Sequence, residues 1–126
     1  MIQSLFGRIE EKKRSQGLQQ QRPAIPQLNA QQVWQRLEDD DSVLLVDVRT
    51  PGEYQMEHIP GARLLPLPVL RQRHNELPKE RPIVCVCRSG ARSQSACEQL
   101  AALGFTDVAN LSGGMIGWKR AGLPHQ

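Results

Sequence analysis

No stretch of this 126-residue sequence approaches the roughly twenty consecutive apolar residues of a membrane span, which excludes a helical transmembrane protein. Cysteine is scarce: three thiols, an odd number, make no disulfide framework. The opening Met1–Phe6 has neither an apolar core long enough for a secretory leader nor a small-residue cleavage site. A reducing, cytoplasmic setting is therefore expected, where thiols stay free and a reactive one can be used. Also missing is a basic body. The formal net charge of +3 sits in residues 1–24, where Arg8, Lys12, Lys13, Arg14 and Arg22 face only Glu10 and Glu11. The remaining chain carries eleven charges of each sign, so bulk charge gives no reason to expect nucleic-acid binding. There is no internal repeat, and the length suits one domain with a real core.

Residues 10–27 are rich in Gln, Lys and Arg and contain Pro23 and Pro26, which predicts a flexible lead-in. Before them Ile2, Leu5, Phe6 and Ile9 fall at helical spacing, followed by Lys12-Lys13-Arg14. Such a segment could dock on a membrane surface or a partner. Two turns of isolated helix are marginal, however, which favours a frayed end or a segment lying on its own domain. The division expected is an extension over 1–26 and a folded domain over 27–126.

From residue 28 strand and helix patterns alternate. Asn29 can cap a helix whose Val33, Trp34 and Leu37 share one face, ending in a turn at Glu38-Asp39-Asp40-Asp41 because acids oppose the dipole there. Ser42–Val48 is a continuous apolar run, as in a parallel strand covered on both faces, and Thr50-Pro51-Gly52 breaks it. A short strand near Arg63–Leu65 and a helix over Val69–Leu77, ended by Pro78, follow. Ile83–Cys87 is the second buried strand. A helix from Ser93 to Leu103 has an inner face of Ala96, Cys97, Leu100 and Leu103 and stops at Gly104. Asp107–Asn110 reads as a last strand and Gly114–Ala121 as a last helix, with Gly113-Gly114 as a tight turn and Trp118, like Trp34, in the core. This alternation predicts an α/β fold with a parallel sheet. Ligands of such sheets sit beyond the carboxyl ends of the strands, where Asp47-Val48-Arg49 and Cys87 both fall.

Cys87 ends a buried strand, and a helix begins within a few residues. A tight turn can aim several backbone N–H groups at one point, and the helix adds the positive end of its dipole. Arg88 and Arg92 add full charges, and residues 81–97 contain three arginines and no acid. These are the conditions that lower a thiol pKa and make a nucleophile. The same donors would hold an anionic substrate, and Gly90 permits the backbone torsions required. Cys85, inside the strand, and Cys97, on the helix's apolar stripe, read as structural. Zinc is not implied, since Cys85-x-Cys87 lacks a second ligand pair and no His is near in sequence.

The sequence resembles the rhodanese-like sulfurtransferases from about residue 27 to its end. Four segments carry the resemblance in order: Leu45–Tyr54, His58-Ile59-Pro60-Gly61-Ala62, Cys87-Arg88-Ser89-Gly90-Ala91-Arg92-Ser93, and Ser112–Trp118. Glu57 departs from the glycine the family commonly has before the second segment. The resemblance implies a three-layer fold with a central, mainly parallel sheet flanked by helices. It implies thiosulfate sulfurtransferase chemistry without a cofactor: Cys87 takes the sulfane sulfur, sulfite leaves, and the loop of Arg88, Ser89, Gly90, Ala91, Arg92 and Ser93 wraps the sulfur with N–H groups. Thiols, cyanide or a protein then accept it. Cysteine phosphatases of related fold place five residues between Cys and Arg, whereas four separate Cys87 from Arg92, which disfavours phosphatase or arsenate reductase activity. A sulfur carrier serving a protein partner is the other reading, in which the extension could dock. Asp47 and Arg49 either border the pocket or lock neighbouring loops through charge-assisted bonds, the second being favoured. His58 opens a Pro-Gly turn and reads as structural.

Overall fold

The computed structural model of the chain describes residues 24–126. The helical spacing at 2–9, and with it the docking expectation, lies outside the described residues. Strands β1 (Gln27–Leu28), β2 (Leu44–Asp47), β3 (Arg63–Leu64), β4 (Ile83–Val86) and β5 (Val108–Leu111) form one five-stranded sheet in the order β1-β5-β4-β2-β3. Every neighbouring pair is parallel, with Val46 opposite Cys85 and Cys85 opposite Asn110 across the centre. The helices are α1 (Ala30–Asp39), α2 (Pro51–Met56), α3 (Leu70–Arg73), α4 (Ala91–Ala102) and α5 (Gly114–Arg120).

Both faces of the sheet are covered, so the central strand β4 is apolar and buried at all four positions, while Asp47 of β2 and Asn110 of β5 are buried polar residues. Alternation along β4 sends Ile83, Cys85 and Cys87 into a core closed by α3 and α4, through Leu70, Ala96, Cys97 and Leu100. Val84 and Val86 enter the opposite core, closed by α1 and α5 through Val33, Met115 and Trp118. Trp118, fully buried, meets Trp34 edge to face with centroids 6.1 Å apart and donates its indole N–H to the Pro124 carbonyl at 2.8 Å.

Local chemistry accounts for the helix starts. Asn29 and Gln32 form a reciprocal cap on α1, each side chain accepting the other's backbone N–H at 2.9 Å. The acidic end turns as expected, with the Asp40 carboxylate accepting the N–H and hydroxyl of Ser42. Three elements differ from the sequence reading, the first being β1, where Gln27, placed in the lead-in, pairs with Asn110 of β5. Thr50-Pro51-Gly52, read as a break after the strand, opens the helix α2: Thr50 Oγ1 accepts the Glu53 N–H, the Glu53 carboxylate accepts the Thr50 N–H, and Pro51 fits the first turn. The helix expected over 69–77 is one α-turn between 3₁₀ turns at Leu67–Val69 and His74–Glu76, because Pro66 and Pro68 tighten its start and the Leu77 N–H closes on the His74 carbonyl.

The connection leaving β2 runs outward to β3, and the one leaving β4 runs the opposite way to β5. Adjacent strands whose connections diverge leave a crevice at their carboxyl ends, and here it lies between Asp47-Val48-Arg49 and Cys87.

Candidate active site

Cys87 is the first residue beyond β4. Gly90, at φ +107°, turns the chain into α4. A side chain there would crowd the backbone of Gly113 at 3.2 Å, so the residue type is set by space as well as torsion. The turn folds back on the thiol: the Gly90 N–H donates to Cys87 Sγ at 3.0 Å, and Ser93 Oγ, in the first turn of α4, lies 3.2 Å from the same sulfur. Cys87 is only 1% exposed. That burial pushes its thiol pKa up, but the Ser93 hydroxyl and the N–H groups of Ser93, Gly90 and Ser89 outweigh it and bring the thiol below its ordinary value of 9.0. One backbone N–H and one hydroxyl thus meet the sulfur at the turn.

The loop is also gripped from behind. Met115 N–H donates to the Cys87 carbonyl at 2.8 Å and Ile116 N–H to the Arg88 carbonyl at 3.1 Å. The start of α5 can approach this closely because Gly114, at φ +55°, has no side chain: a Cβ would lie 2.5 Å from the Arg88 carbonyl oxygen. Sequence reasoning gave Gly113-Gly114 a turn and missed this close approach. The signal available was two glycines directly before a helix.

The two loop arginines are in different situations. Arg92 forms a bidentate pair with Glu53 of α2, at 2.7 and 2.9 Å. The Arg92 hydrogen bonds, with help from Thr50, pull the Glu53 carboxyl down to about 2. Glu53 was missed as a site residue. Arg88 is exposed and, among the described residues, forms no ion pair of 4 Å or less. It opens on a cleft of about 290 Å³ shared with Met56, Met115 and Ile116. A more apolar groove of about 380 Å³, walled by Val48, Pro66, Leu67 and Arg92, runs along the other side. A cleft of about 410 Å³ at Ile25, Phe105 and Val108 lies at the amino ends of the strands, away from the thiol.

Asp47 and Arg49 pair with each other, and Arg49 also borders both clefts beside the loop. The buried Arg49 guanidinium meets the fully buried Asp47 carboxylate at 2.8 Å and also donates to the Glu57 carbonyl at 2.7 Å, tying β2 to the segment after α2. His58 stacks on Tyr54 with centroids 3.8 Å apart, its ring nitrogen is 2.8 Å from the Tyr54 carbonyl, and its backbone pairs with Gln126. Cys85 and Cys97 are fully buried. The Cys97 thiol beside Cys85, together with burial, holds the Cys85 thiol well above 9.0, so it stays protonated. Among the described residues no three His, Cys, Asp or Glu side chains are grouped to hold a metal, and no helix is long and apolar enough to cross a membrane.

A family model for the rhodanese-like domain matches residues 29–121. A sulfurtransferase from Allochromatium vinosum is 46% identical over 100 residues, covering 79% of this chain and 94% of that protein. The putative sulfur carrier protein YrkF of Bacillus subtilis is 36% identical over 95 residues, covering 75% of this chain but 51% of its own length. The thiosulfate sulfurtransferase GlpE of Pseudoalteromonas translucida is 36% identical over 83 residues, covering 66% of this chain and 79% of that one. Among solved structures, a rhodanese-related protein from Thermoplasma volcanium superimposes with a TM-score of 0.74 at 26% identity, over 80% of this chain and 97% of that one.

Proposed function

The chain belongs to the rhodanese-like family of sulfurtransferases and sulfur carriers, and from that premise we propose that Cys87 takes a sulfane sulfur from thiosulfate or a similar anionic donor, holds it as a persulfide, and passes it to a thiol, cyanide or protein acceptor. The observation that carries this reading is the convergence of the Gly90 N–H and the Ser93 hydroxyl on one sulfur at the start of a helix. A thiolate so held is nucleophilic, and the same donors favour anions.

In the first half-reaction the Cys87 thiolate attacks the sulfane sulfur. A new S–S bond forms, the bond to the sulfonate breaks, and its electron pair leaves with sulfite. The persulfide's outer sulfur then carries the negative charge. In the second half-reaction an acceptor thiolate or cyanide attacks that outer sulfur, giving an acceptor persulfide or thiocyanate and returning the Cys87 thiolate. No base is needed where the thiol is already ionised. Arg88, the loop arginine without an acid partner, attracts the donor, whereas Arg92 braces the loop against Glu53.

A carrier role is the second reading, favoured by the likeness to YrkF over half that protein's length. Met56, 85% exposed beside the Arg88 cleft, supports approach by a protein acceptor. A reducing compartment such as the cytoplasm would suit either role, since all three thiols are free.

Intact-mass spectrometry after exposure to thiosulfate, polysulfide or 3-mercaptopyruvate tests the reading. The expected result is one added sulfur on Cys87 and none on Cys87→Ser; loading of that variant would refute the assignment. Fast turnover with thiosulfate and cyanide points to the enzyme, and slow turnover with fast transfer to a protein points to the carrier.

A further inference from the structure

Behind Ser93 lies a buried amide that the chemistry above does not use. Asn110, on β5, is 2% exposed, and its Oδ1 lies 2.5 Å from Ser93 Oγ. The orientation of the amide is fixed by its neighbours. Its Nδ2 lies 3.1 Å from the Gly90 carbonyl, which can only accept. The same nitrogen is 2.9 Å from Gln27 Oε1. Gln27 is oriented in turn because its Nε2 meets the Ile25 carbonyl at 3.1 Å and Gln94 Oε1 at 2.5 Å. Two independent acceptors thus claim the Asn110 NH₂ group and turn its oxygen to Ser93. An amide oxygen cannot donate, so the Ser93 hydroxyl must. That hydroxyl has one proton, and Cys87 Sγ is 3.2 Å away on its other side.

We propose, resting on the persulfide reading above, that Asn110 is a positioning residue that competes with Cys87 for the single proton of Ser93, and so favours the states in which Sγ is uncharged, thiol and persulfide, over the bare thiolate. When Cys87 is a thiol, its S–H donates to Ser93 Oγ and Ser93 donates to Asn110, and every group is satisfied. When Cys87 is a thiolate, the sulfur needs the Ser93 proton, and turning the hydroxyl towards it strands the buried Asn110 oxygen. Once sulfur is loaded, the charge moves to the outer sulfur, Sγ no longer needs that proton, and the hydroxyl returns to Asn110. Each half-reaction is accompanied by one hydroxyl rotation, and Asn110 weights the balance towards the loaded form.

Four proteins test this: wild type, Asn110→Leu, Ser93→Ala and the double variant, with Asn110→Ala replacing the leucine variant should that one not fold. The Gly90 carbonyl keeps the Gln94 N–H at 3.1 Å when Asn110 is lost, so the loop retains its tether. The charged groups around Cys87 remain the same in all four: Arg88 on its own loop, Arg92 paired with Glu53, and the Asp47–Arg49 pair at the end of β2. The Cys85 thiol beside it is also unchanged. Ultraviolet titration of the thiolate is expected to show Cys87 ionising at lower pH in Asn110→Leu than in wild type. In the Ser93→Ala background, changing Asn110 should move nothing. At a fixed thiosulfate-to-sulfite ratio, above the wild-type midpoint, the loaded-to-free ratio read by mass should fall about three- to tenfold in Asn110→Leu, the scale of one redirected charge-assisted hydrogen bond. A wild-type titration in Asn110→Leu, an unchanged loaded-to-free ratio, or the same shift without Ser93, overturns the proposal. The titration uses no sulfur donor, so failure of wild type to load would sink the persulfide reading while leaving the proton competition separately readable.

Discussion

Cys85, inside β4, and Cys87, just past its end, lie two residues apart and face the same core, and their thiols are driven in opposite directions. Both are buried, so burial does not separate them. What separates them is the hydrogen-bonding company: Cys85 faces another thiol, whereas Cys87 faces the Gly90 N–H and a Ser93 hydroxyl shared with Asn110 at the turn into α4. In the folded protein iodoacetamide should therefore modify Cys87 alone. Because the folded-state pKa lies below 9.0, the alkylation rate should rise with pH with its midpoint below pH 9.0; peptide mapping and a pH–rate profile check both points. The two arginines should separate as well. Arg88→Ala is expected to raise the KM for thiosulfate with little effect on Tm. Arg92→Ala should cost stability, by up to about 1 kcal/mol for so exposed a pair, and lower the loading rate by loosening the loop. Equal kinetic effects with no loss of stability in either variant would contradict that split. Cys87 was legible because its cues are contiguous in sequence. Glu53 was not, since its partner lies 39 positions away, and the Thr50…Glu53 capping spacing that marks its helix went unread behind the Pro51-Gly52 break.

At the scale of elements, the site is a meeting of two helix starts. The start of α4 supplies donors to the sulfur, and the start of α5 holds the carbonyls of Cys87 and Arg88 in place. The second depends on an absent side chain. Gly114→Ala should force the two backbones apart, at a cost of about 2–4 kcal/mol, and lower the loading rate at least about tenfold. Chemical denaturation and single-turnover mass spectrometry would measure these, and a variant with wild-type loading would show that the grip on the loop is dispensable. The helix over 69–77 shows a limit of periodicity: its apolar spacing is helical, but the prolines before and after leave only one α-turn between tighter ones.

At the scale of the whole molecule, two ion pairs tie β2 and α2 to the rest of the site. Asp47–Arg49 is buried, and removing its carboxylate with Asp47→Ala strands a buried guanidinium, with an expected loss of about 3–5 kcal/mol. Equilibrium unfolding checks it, and a loss below 1 kcal/mol would mean that water reaches Arg49. Glu53–Arg92 gives the fold an acid-side dependence. The folded Glu53 carboxyl titrates at about 2 against an ordinary 4.5, so the pair's contribution is fully present above pH 4.5 and is lost as pH falls towards about 2. Exposure and screening keep that contribution small. Urea midpoints measured across this window should fall less steeply in Glu53→Gln than in wild type.

The sequence alone determined the α/β alternation, the buried strands and the place of the Cys87 loop at a strand's carboxyl end, because those properties rest on runs of apolar residues and on caps and turns. Only the tertiary structure decided which charge is paired and which is not, that the last helix, approaching closely through Gly114, holds the Cys87 loop, and that Asn110 stands behind Ser93. These depend on parallel strands bringing residues far apart in sequence to one end of the sheet, and pairing at such distances leaves no periodic trace in the chain itself.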